Sequence, residues 1–231
     1  MRNSSLHICA LIPTYNNANT ILDVVRRTRK QLKDIIVVVD GCTDNTLDLL
    51  QELEFPITIV SYSKNKGKGY ALKQGFRKAI ELGFEYALTI DSDGQHYPED
   101  IPLLIDAIKK HPGSMIIGSR KLTSENVPGK NKFANKFSNF WFRLQTHINL
   151  PDTQTGFRIY PLNKLYGLSL LTSRYEAELL LLVLAAWHNV PLLPVDIRVY
   201  YPPQKERVSH FRPALDFTRI SILNTILCVG A

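Results

Sequence analysis

Residues 91–96, Asp-Ser-Asp-Gly-Gln-His, carry the strongest indication of chemistry in the chain. Asp91 and Asp93 follow the apolar run Ala87–Ile90, which is typical of a buried strand. In extended backbone, residues two apart point to the same side, so we expect these carboxylates roughly 6.5–7 Å apart at Cα. Like charges at that spacing repel unless a cation neutralises them. Hard oxygen ligands, with the Gln95 carbonyl added, suit magnesium or manganese. A solvated turn that caps the next helix is the alternative, and the strand-end position favours the metal site.

Polar residues also follow other predicted strands, at the edge where ligands of open parallel sheets bind. They are Pro13–Asn17 after the run Ile8–Ile12, Asp40 after Ile35–Val39, and Gly118–Arg120 after Met115–Ile117. Asp40 could accept hydrogen bonds from a base or a ribose. Asp44 is predicted to cap the helix that begins at Thr46. The convergence of these groups on one edge indicates a ligand site more strongly than any single motif.

The segment Asn65-Lys66-Gly67-Lys68-Gly69 precedes a predicted helix, so a phosphate could bind at the helix N-terminus. It lacks the GxxxxGK[ST] spacing of an NTPase loop and the GxGxxG pattern of dinucleotide-binding folds. Dinucleotide and ATPase functions are therefore disfavoured. A flexible solvated loop is the alternative to a phosphate site.

Strand and helix patterns alternate through the first half of the chain, which predicts an α/β fold with a mostly parallel central sheet flanked by helices. The second half is less regular. It is predicted to hold a loop at Lys121–Lys132, helices at Ala134–Ile148, Leu162–Leu171 and Tyr175–Trp187, a strand near Leu192–Tyr200, and a last helix. The 231 residues suit one domain rather than two. We expect a first half that carries the strand-end polar residues (1–120), a less regular second half (121–213) and an apolar C-terminal helix (214–231).

The composition limits the partners and the compartment. A formal charge of +7 favours phosphate-bearing partners, whether nucleotides, nucleic acid or anionic lipid. None of the usual nucleic-acid modules is recognisable, so no nucleic-acid partner is expected. The three cysteines form no CxxC pair, which argues against a zinc site or a disulfide framework. The sequence shows neither a signal peptide nor an apolar stretch of membrane-spanning length, which predicts a cytoplasmic protein, either free or at the cytoplasmic face of a membrane.

Taken together, these segments resemble the family-2 glycosyltransferases with the GT-A fold, and most of all the polyprenyl- or dolichyl-phosphate mannose or glucose synthase branch. The matching segments are Ile12–Asn16, Val37–Gly41, Asn65–Gly69 with Ala71, Asp91–His96, Gly118–Arg120 and Gln154–Arg158. They span about residues 8–160 in the order that the family shows. The chain departs from the family at Asn17, where a Glu is common, and at 209–213.

The resemblance implies an inverting transfer of a hexose from a GDP- or UDP-sugar to an acceptor, which is a polyprenyl phosphate, a glycolipid or a glycan. It implies that residues 1–120 bind the nucleotide sugar and that residues 121–213 form the acceptor side with a lid loop. The implied site residues are Pro13, Tyr15 and Asp40 around the nucleoside, Lys68 near the nucleoside or phosphates, Asp91, Asp93 and Gln95 as ligands of Mg²⁺ or Mn²⁺ that bridges the diphosphate, Arg120 on a donor phosphate or the acceptor, and Arg207 of a mobile loop on the diphosphate. Asn17, although it departs from the family, is counted among the donor-binding residues. Two rival functions stay open at this point. One is a sugar-phosphate nucleotidyltransferase, and the other is a non-catalytic nucleotide-sugar-binding protein.

The need for a general base depends on the acceptor. A lipid phosphate is already ionised and needs none, whereas a hydroxyl must lose a proton to a carboxylate. Asp152 is the first candidate for that base, followed by Glu176 and Glu178, which cannot both face the site because they lie two apart on a helix. For all three, helix capping or a solvated face is the alternative.

The aromatic residues of segment 133–142 interleave with Lys130, Lys132, Lys136 and Arg143. Such a helix could rest on a membrane surface, and the apolar segment Phe217–Ala231 could do the same. The alternative is that both helices pack their apolar faces on the core. The sequence therefore predicts peripheral membrane contact without excluding ordinary packing.

Overall fold

The computed structural model describes residues 6–120, 129–165, 172, 174–201 and 213–229. Seven strands form one sheet: β1 (Ile8–Thr14), β2 (Ile35–Asp40), β3 (Thr58–Tyr62), β4 (Tyr86–Thr89), β5 (Met115–Arg120), β6 (Arg158–Pro161) and β7 (Leu192–Ile197). The helices are α1 (Ile21–Gln31), α2 (Thr46–Gln51), α3 (Lys68–Glu81), α4 (Ile101–Lys110), α5 (Gly129–Thr146), α6 (Leu162–Leu165), α7 (Glu176–Trp187) and α8 (Pro213–Val229). A 3-10 turn at Pro98–Asp100 leads into α4.

The strand order is β3-β2-β1-β4-β6-β5-β7. All neighbouring pairs are parallel except those of β6, which runs antiparallel to both β4 and β5. Every residue of β1 and β2 is buried, as expected for strands covered on both faces. The prediction of a single α/β domain with a mostly parallel sheet is confirmed.

Two apolar clusters lie on opposite faces of this sheet. One joins α3, α5, α7 and α8 through residues such as Leu72, Phe142, Leu182 and Leu223. The other joins α1, α2 and α4 through residues such as Ile21, Leu50 and Leu104. Both faces of the strands are thereby shielded, and the polar ends of β1, β2, β4 and β5 are left to form the site.

Helices α5 and α8 pack against each other, and each has both buried and exposed apolar side chains. Phe142 of α5 and Leu223 of α8 are buried in the core. Phe133 and Phe140 on α5 are 68% and 60% exposed, and Ile226 on α8 is 62% exposed. Some aromatic side chains of α5, such as Phe142, therefore pack in the core, whereas Phe133 and Phe140 stay exposed to solvent. Within the described ranges, no helix is both long and apolar enough to cross a membrane.

Candidate active site

The ends of β4, α3 and α7 meet at Asp91. The Lys68 ammonium, at the first residue of α3, lies 2.6 Å from Asp91 Oδ1 and 2.9 Å from Glu178 Oε2 in the first turn of α7. His96 Nε2 is 3.7 Å from the other Asp91 oxygen. The sequence places these groups far apart, and the topology brings them to one edge.

This cluster is only slightly exposed, and its charges hold one another in the ionised form. Burial favours a neutral Asp91, but Lys68 and His96 outweigh burial and the pKa of Asp91 lies well below its usual value. Burial likewise favours a neutral Lys68, but the charges of Asp91 and Glu178 dominate and raise the pKa of Lys68. The site therefore contains a fixed ammonium between two carboxylates.

Asp93 lies in a different electrostatic environment from Asp91. Its Oδ1 accepts a hydrogen bond of 2.9 Å from the Gln95 N–H, which closes the turn. Burial, followed by the charge of Asp91, raises the pKa of Asp93 above its usual value. An anionic Asp93 thus lacks compensation that a divalent cation would provide, so the predicted metal-ligand set fits such an ion.

No three His, Cys, Asp or Glu side chains are grouped to hold a metal ion by themselves in the part of the chain that the structure describes. A site with two carboxylates and an amide fits Mg²⁺ or Mn²⁺, because such sites usually use few protein carboxylates and are completed by water and substrate phosphates.

The turn that carries Asp91 and Asp93 is fixed from two sides. Asn17 Nδ2 donates to Ser92 Oγ at 2.8 Å, and Thr20 Oγ1 donates to the Ser92 carbonyl at 2.6 Å. On the other side, the Tyr200 N–H donates to the Gln95 carbonyl at 2.8 Å. Asn17 therefore positions the metal-ligand turn, and its predicted contact with the donor stays a prediction.

The segment after β7 is itself anchored next to this turn. Arg198 donates three hydrogen bonds to the carboxylate of Asp100, at 2.6 to 2.9 Å. Asp100 is 2% exposed and ends the 3-10 turn, and the Arg198 guanidinium also lies over the Tyr97 ring. This contact ties β7 to the residues that follow the metal-ligand turn.

Asp40 organises the glycine-rich segment. Its carboxylate accepts hydrogen bonds from Asn65 Nδ2, the Lys66 N–H and the Gly67 N–H, at 2.7 to 3.0 Å. A Cβ at Gly41 would lie 2.2 Å from the Asn65 nitrogen, so only glycine lets this segment pack so closely. Asp40 thus shapes the loop that leads to Lys68, and its predicted contact with the nucleoside stays a prediction.

The remaining nucleoside-side residues lie at the same edge. Pro13 lies in β1 beside Val38 of β2, and Tyr15 is the first residue after β1. Asp44 accepts a hydrogen bond of 3.1 Å from the Thr46 N–H at the start of α2, but the N-cap position is Asn45, so Asp44 binds the first turn from one residue before that cap.

Arg120 and Asp152 form a closed ion pair. Asp152 is fully buried, and its two oxygens accept from Arg120 Nε at 2.6 Å and from the second guanidinium nitrogen at 3.0 Å. The N–H groups of Arg120 and Gln154 donate to the same carboxylate. In this structure Asp152 positions Arg120 and has no exposed oxygen to accept a proton from an acceptor.

The two glutamates of α7 differ in their partners. Glu178 reaches Lys68, whereas Glu176 Oε1 lies 3.8 Å from a guanidinium nitrogen of Arg219 on α8. The structure therefore brings Glu178, rather than Glu176, to the cluster around Asp91. Arg207, predicted on the diphosphate, lies outside the described residues.

Two members of the Gln154–Arg158 segment shape the site without having been given a role from the sequence. Arg158 is fully buried and donates to the Glu178 carbonyl at 2.9 Å and to the Thr153 carbonyl at 2.8 Å. A Cβ at Gly156 would lie 2.4 Å from Asp91 Oδ2, so the glycine allows the chain just before β6 to approach that carboxylate. The sequence indicates this motif, but it does not show that Gly156 lies against Asp91 or that Arg158 binds the backbone of α7.

The chain is similar to known proteins over the region that contains most of these residues. The family model described as Glycosyl transferase family 2 matches residues 9–166. A UDP-N-acetylglucosamine–dolichyl-phosphate N-acetylglucosaminyltransferase from Methanococcus voltae is 33% identical, over 84% of this chain and 86% of the relative. An undecaprenyl-phosphate mannosyltransferase from Micrococcus luteus is 30% identical, over 71% of this chain and 70% of the relative.

A solved structure shows the same architecture. Glucosyl-3-phosphoglycerate synthase from Mycobacterium tuberculosis, crystallised with Mn²⁺, UDP and phosphoglyceric acid, matches with a TM-score of 0.71. The match covers 98% of this chain and 78% of that structure at 16% identity, so it supports the fold alone.

Proposed function

Because the chain belongs to the family 2 glycosyltransferases and has the GT-A fold, we propose that it transfers a hexose from a UDP- or GDP-sugar to a lipid-linked phosphate acceptor. The observation that carries this proposal is the cluster at Asp91, in which Lys68 pairs with Asp91 and Glu178 while burial and the charge of Asp91 raise the pKa of Asp93. Family membership makes the chain a glycosyltransferase. It also disfavours the two rival functions, a nucleotidyltransferase and a non-catalytic binding protein.

The proposed cofactor is Mg²⁺ or Mn²⁺, held by Asp91, Asp93 and Gln95. When bound, such an ion supplies Lewis-acid stabilisation to the departing nucleoside diphosphate. The protein's own contribution is to orient the carboxylates through the contacts of Asn17 and Gly156 and to place the Lys68 ammonium where negative charge accumulates. The crystallisation of a protein of the same fold with Mn²⁺ and UDP supports this assignment.

The proposed acceptor is a polyprenyl phosphate, as the names of the Methanococcus and Micrococcus relatives suggest. A phosphate is ionised at neutral pH and attacks without a general base. Asp152 is then free to act as the partner of Arg120, whose guanidinium is suited to bind a phosphate oxygen. Direct attack on the donor sugar implies inversion at the anomeric carbon.

We further propose that the exposed faces of α5 and α8 contact the membrane in which such an acceptor resides. The exposed large apolar residues on these two packed helices are Phe133, Phe140, Leu144, Leu215, Ile222 and Ile226. The cationic side chains of Lys136 and Arg143 lie on the surface of α5 as well. Apolar side chains with nearby cations are typical of helices that lie in a membrane interface.

A transfer assay tests the proposed function. The purified chain would be incubated with labelled UDP- and GDP-sugars, polyprenyl phosphate and Mn²⁺, and the label extracted into organic solvent. We expect label in the lipid fraction for one donor, and its loss on chelation of Mn²⁺. Release of pyrophosphate from a nucleoside triphosphate, or no transfer from any donor, would contradict the proposal.

A further inference from the structure

Glu178 lies at the metal-ligand cluster, and its two oxygens differ in their surroundings. Its Oε2 is 2.9 Å from the Lys68 ammonium, while Oε1 is buried and has no hydrogen-bond partner among the described residues. Glu178 is 8% exposed, so its carboxylate is largely shielded from solvent.

The backbone of Glu178 is fixed by a hydrogen bond from Arg158. The fully buried Arg158 donates to the Glu178 carbonyl at 2.9 Å, with its other end on the Thr153 carbonyl. This anchors the first turn of α7 on β6. The backbone that carries the Glu178 carboxylate is therefore anchored independently of Asp91.

Lys68 competes with any cation for Asp91. Its ammonium lies 2.6 Å from Asp91 Oδ1, so a metal ion held by Asp91 would have to share this carboxylate with a second positive charge. A buried ammonium that lost its only counter-ion would be strongly destabilised. Glu178 removes that penalty, because Lys68 can leave Asp91 and keep a carboxylate partner, including the unoccupied Oε1.

We propose that Glu178 is a positioning residue that draws Lys68 away from Asp91 and so makes Asp91 available to a divalent cation. This inference rests on the proposed metal-dependent function. It gives Glu178 a role distinct from that of a general base, since it acts on cation affinity before any acceptor is present.

The test is calorimetric titration of the full chain with Mn²⁺ alone. In Glu178→Gln, Lys68 has only Asp91 as a charged partner, and Mn²⁺ binding should weaken about tenfold, within the range typical of coupled sites. Lys68→Met removes the competitor and should bind Mn²⁺ more tightly than the wild type. The double variant should return to within about threefold of the wild type, because one charge of each sign has been removed.

Two further variants act as controls. Glu178→Asp keeps the charge and should bind Mn²⁺ more tightly than Glu178→Gln. Glu81→Gln removes a carboxylate at the far end of α3, about 20 Å from Lys68 along the helix, and should bind like the wild type. Thermal unfolding of each variant shows whether it is folded, and the charge-retaining Glu178→Asp keeps the test available if Glu178→Gln is not.

Unchanged Mn²⁺ affinity in Glu178→Gln would overturn the inference and leave the glycosyltransferase proposal intact. A double variant as weak as Glu178→Gln would overturn it too, because Glu178 would then not act through Lys68. A wild-type chain that binds no Mn²⁺ would overturn both the inference and the proposed cofactor.

Discussion

The two aspartates of the metal-ligand turn should affect the stability of the metal-free protein in opposite directions. Asp91 is paired with Lys68, whereas Asp93 carries a charge that burial and Asp91 disfavour. Residues 92–93 lie in a turn rather than in the extended backbone expected from the sequence. Asp93→Asn removes a like-charge repulsion from Asp91, which for charges about 5–7 Å apart is worth about 2–3 kcal/mol at an effective dielectric constant of 20. Lys68 offsets part of this, so we expect Asp93→Asn to raise the free energy of unfolding by about 1 kcal/mol.

Asp91→Asn should have the reverse effect. Lys68 keeps Glu178 but loses its shorter ion pair, so the loss should be about 1–2 kcal/mol, below the 3–5 of a fully stranded buried charge. For a chain of this length each kcal/mol moves the melting temperature by about 2–4 °C. We therefore expect the melting temperature to rise by about 2–4 °C in Asp93→Asn and to fall by about 2–8 °C in Asp91→Asn.

The pH dependence follows from the direction of the pKa shift. The pKa of Asp93 is raised in the folded state, so protonated Asp93 stabilises the fold below the ordinary aspartate pKa, and this stability is lost as the pH rises through the raised value. The gain in Asp93→Asn should therefore appear near neutral pH and vanish in acid.

Differential scanning calorimetry in excess chelator measures both variants. Added Mn²⁺ should raise the melting temperature of the wild type and not that of Asp93→Asn, because an ion that binds only the folded state stabilises it. If both substitutions destabilise the metal-free protein to the same extent, the electrostatic description of the site is wrong.

Three further predictions concern the elements around the site. Gly156→Ala places a methyl group against the nearby carboxylate and should weaken Mn²⁺ binding at least tenfold by calorimetry, whereas Gly129→Ala, whose Cβ meets nothing within 4 Å, should not. Asp152→Asn breaks a buried ion pair and should lower the free energy of unfolding by about 3 kcal/mol in urea titrations. If Asp152 acted only as a general base, the same substitution would leave the free energy of unfolding unchanged. Replacing both Phe140 and Ile226 by serine should reduce sedimentation with anionic vesicles about tenfold or more, at about 1 kcal/mol or more for each side chain, and equal sedimentation would contradict the membrane contact.

The sequence predicts most of this sheet because its strands are unbroken apolar runs. β1, β2, β4, β5 and β7 were all expected near their observed positions. β6 was not, because Arg158–Pro161 is only four residues long and has a charged residue at one end and a proline at the other. Its reversed direction could not be inferred without knowing that it inserts between β4 and β5.

The site was predictable where it follows strand ends and not where it depends on helix rotation. Asp91, Asp93 and Lys68 were identified from local motifs. The choice between Glu176 and Glu178 was not, because residues 179–183 of α7 are all buried and leave no polar face to define its orientation. Likewise, the role of Gly156 depends on a contact with Asp91 across 65 residues of sequence.

The central claim, that Asp91 and Asp93 bind a metal and nucleoside diphosphate together, is tested most directly by a crystal structure with Mn²⁺ and UDP or GDP. Anomalous scattering at the manganese edge locates the ion independently of the refined coordinates. We predict one strong peak between the carboxylates of Asp91 and Asp93 and the phosphates of the nucleotide, with Lys68 on Glu178. A nucleotide bound at this edge without an ion, or an ion held by other residues, would contradict the account.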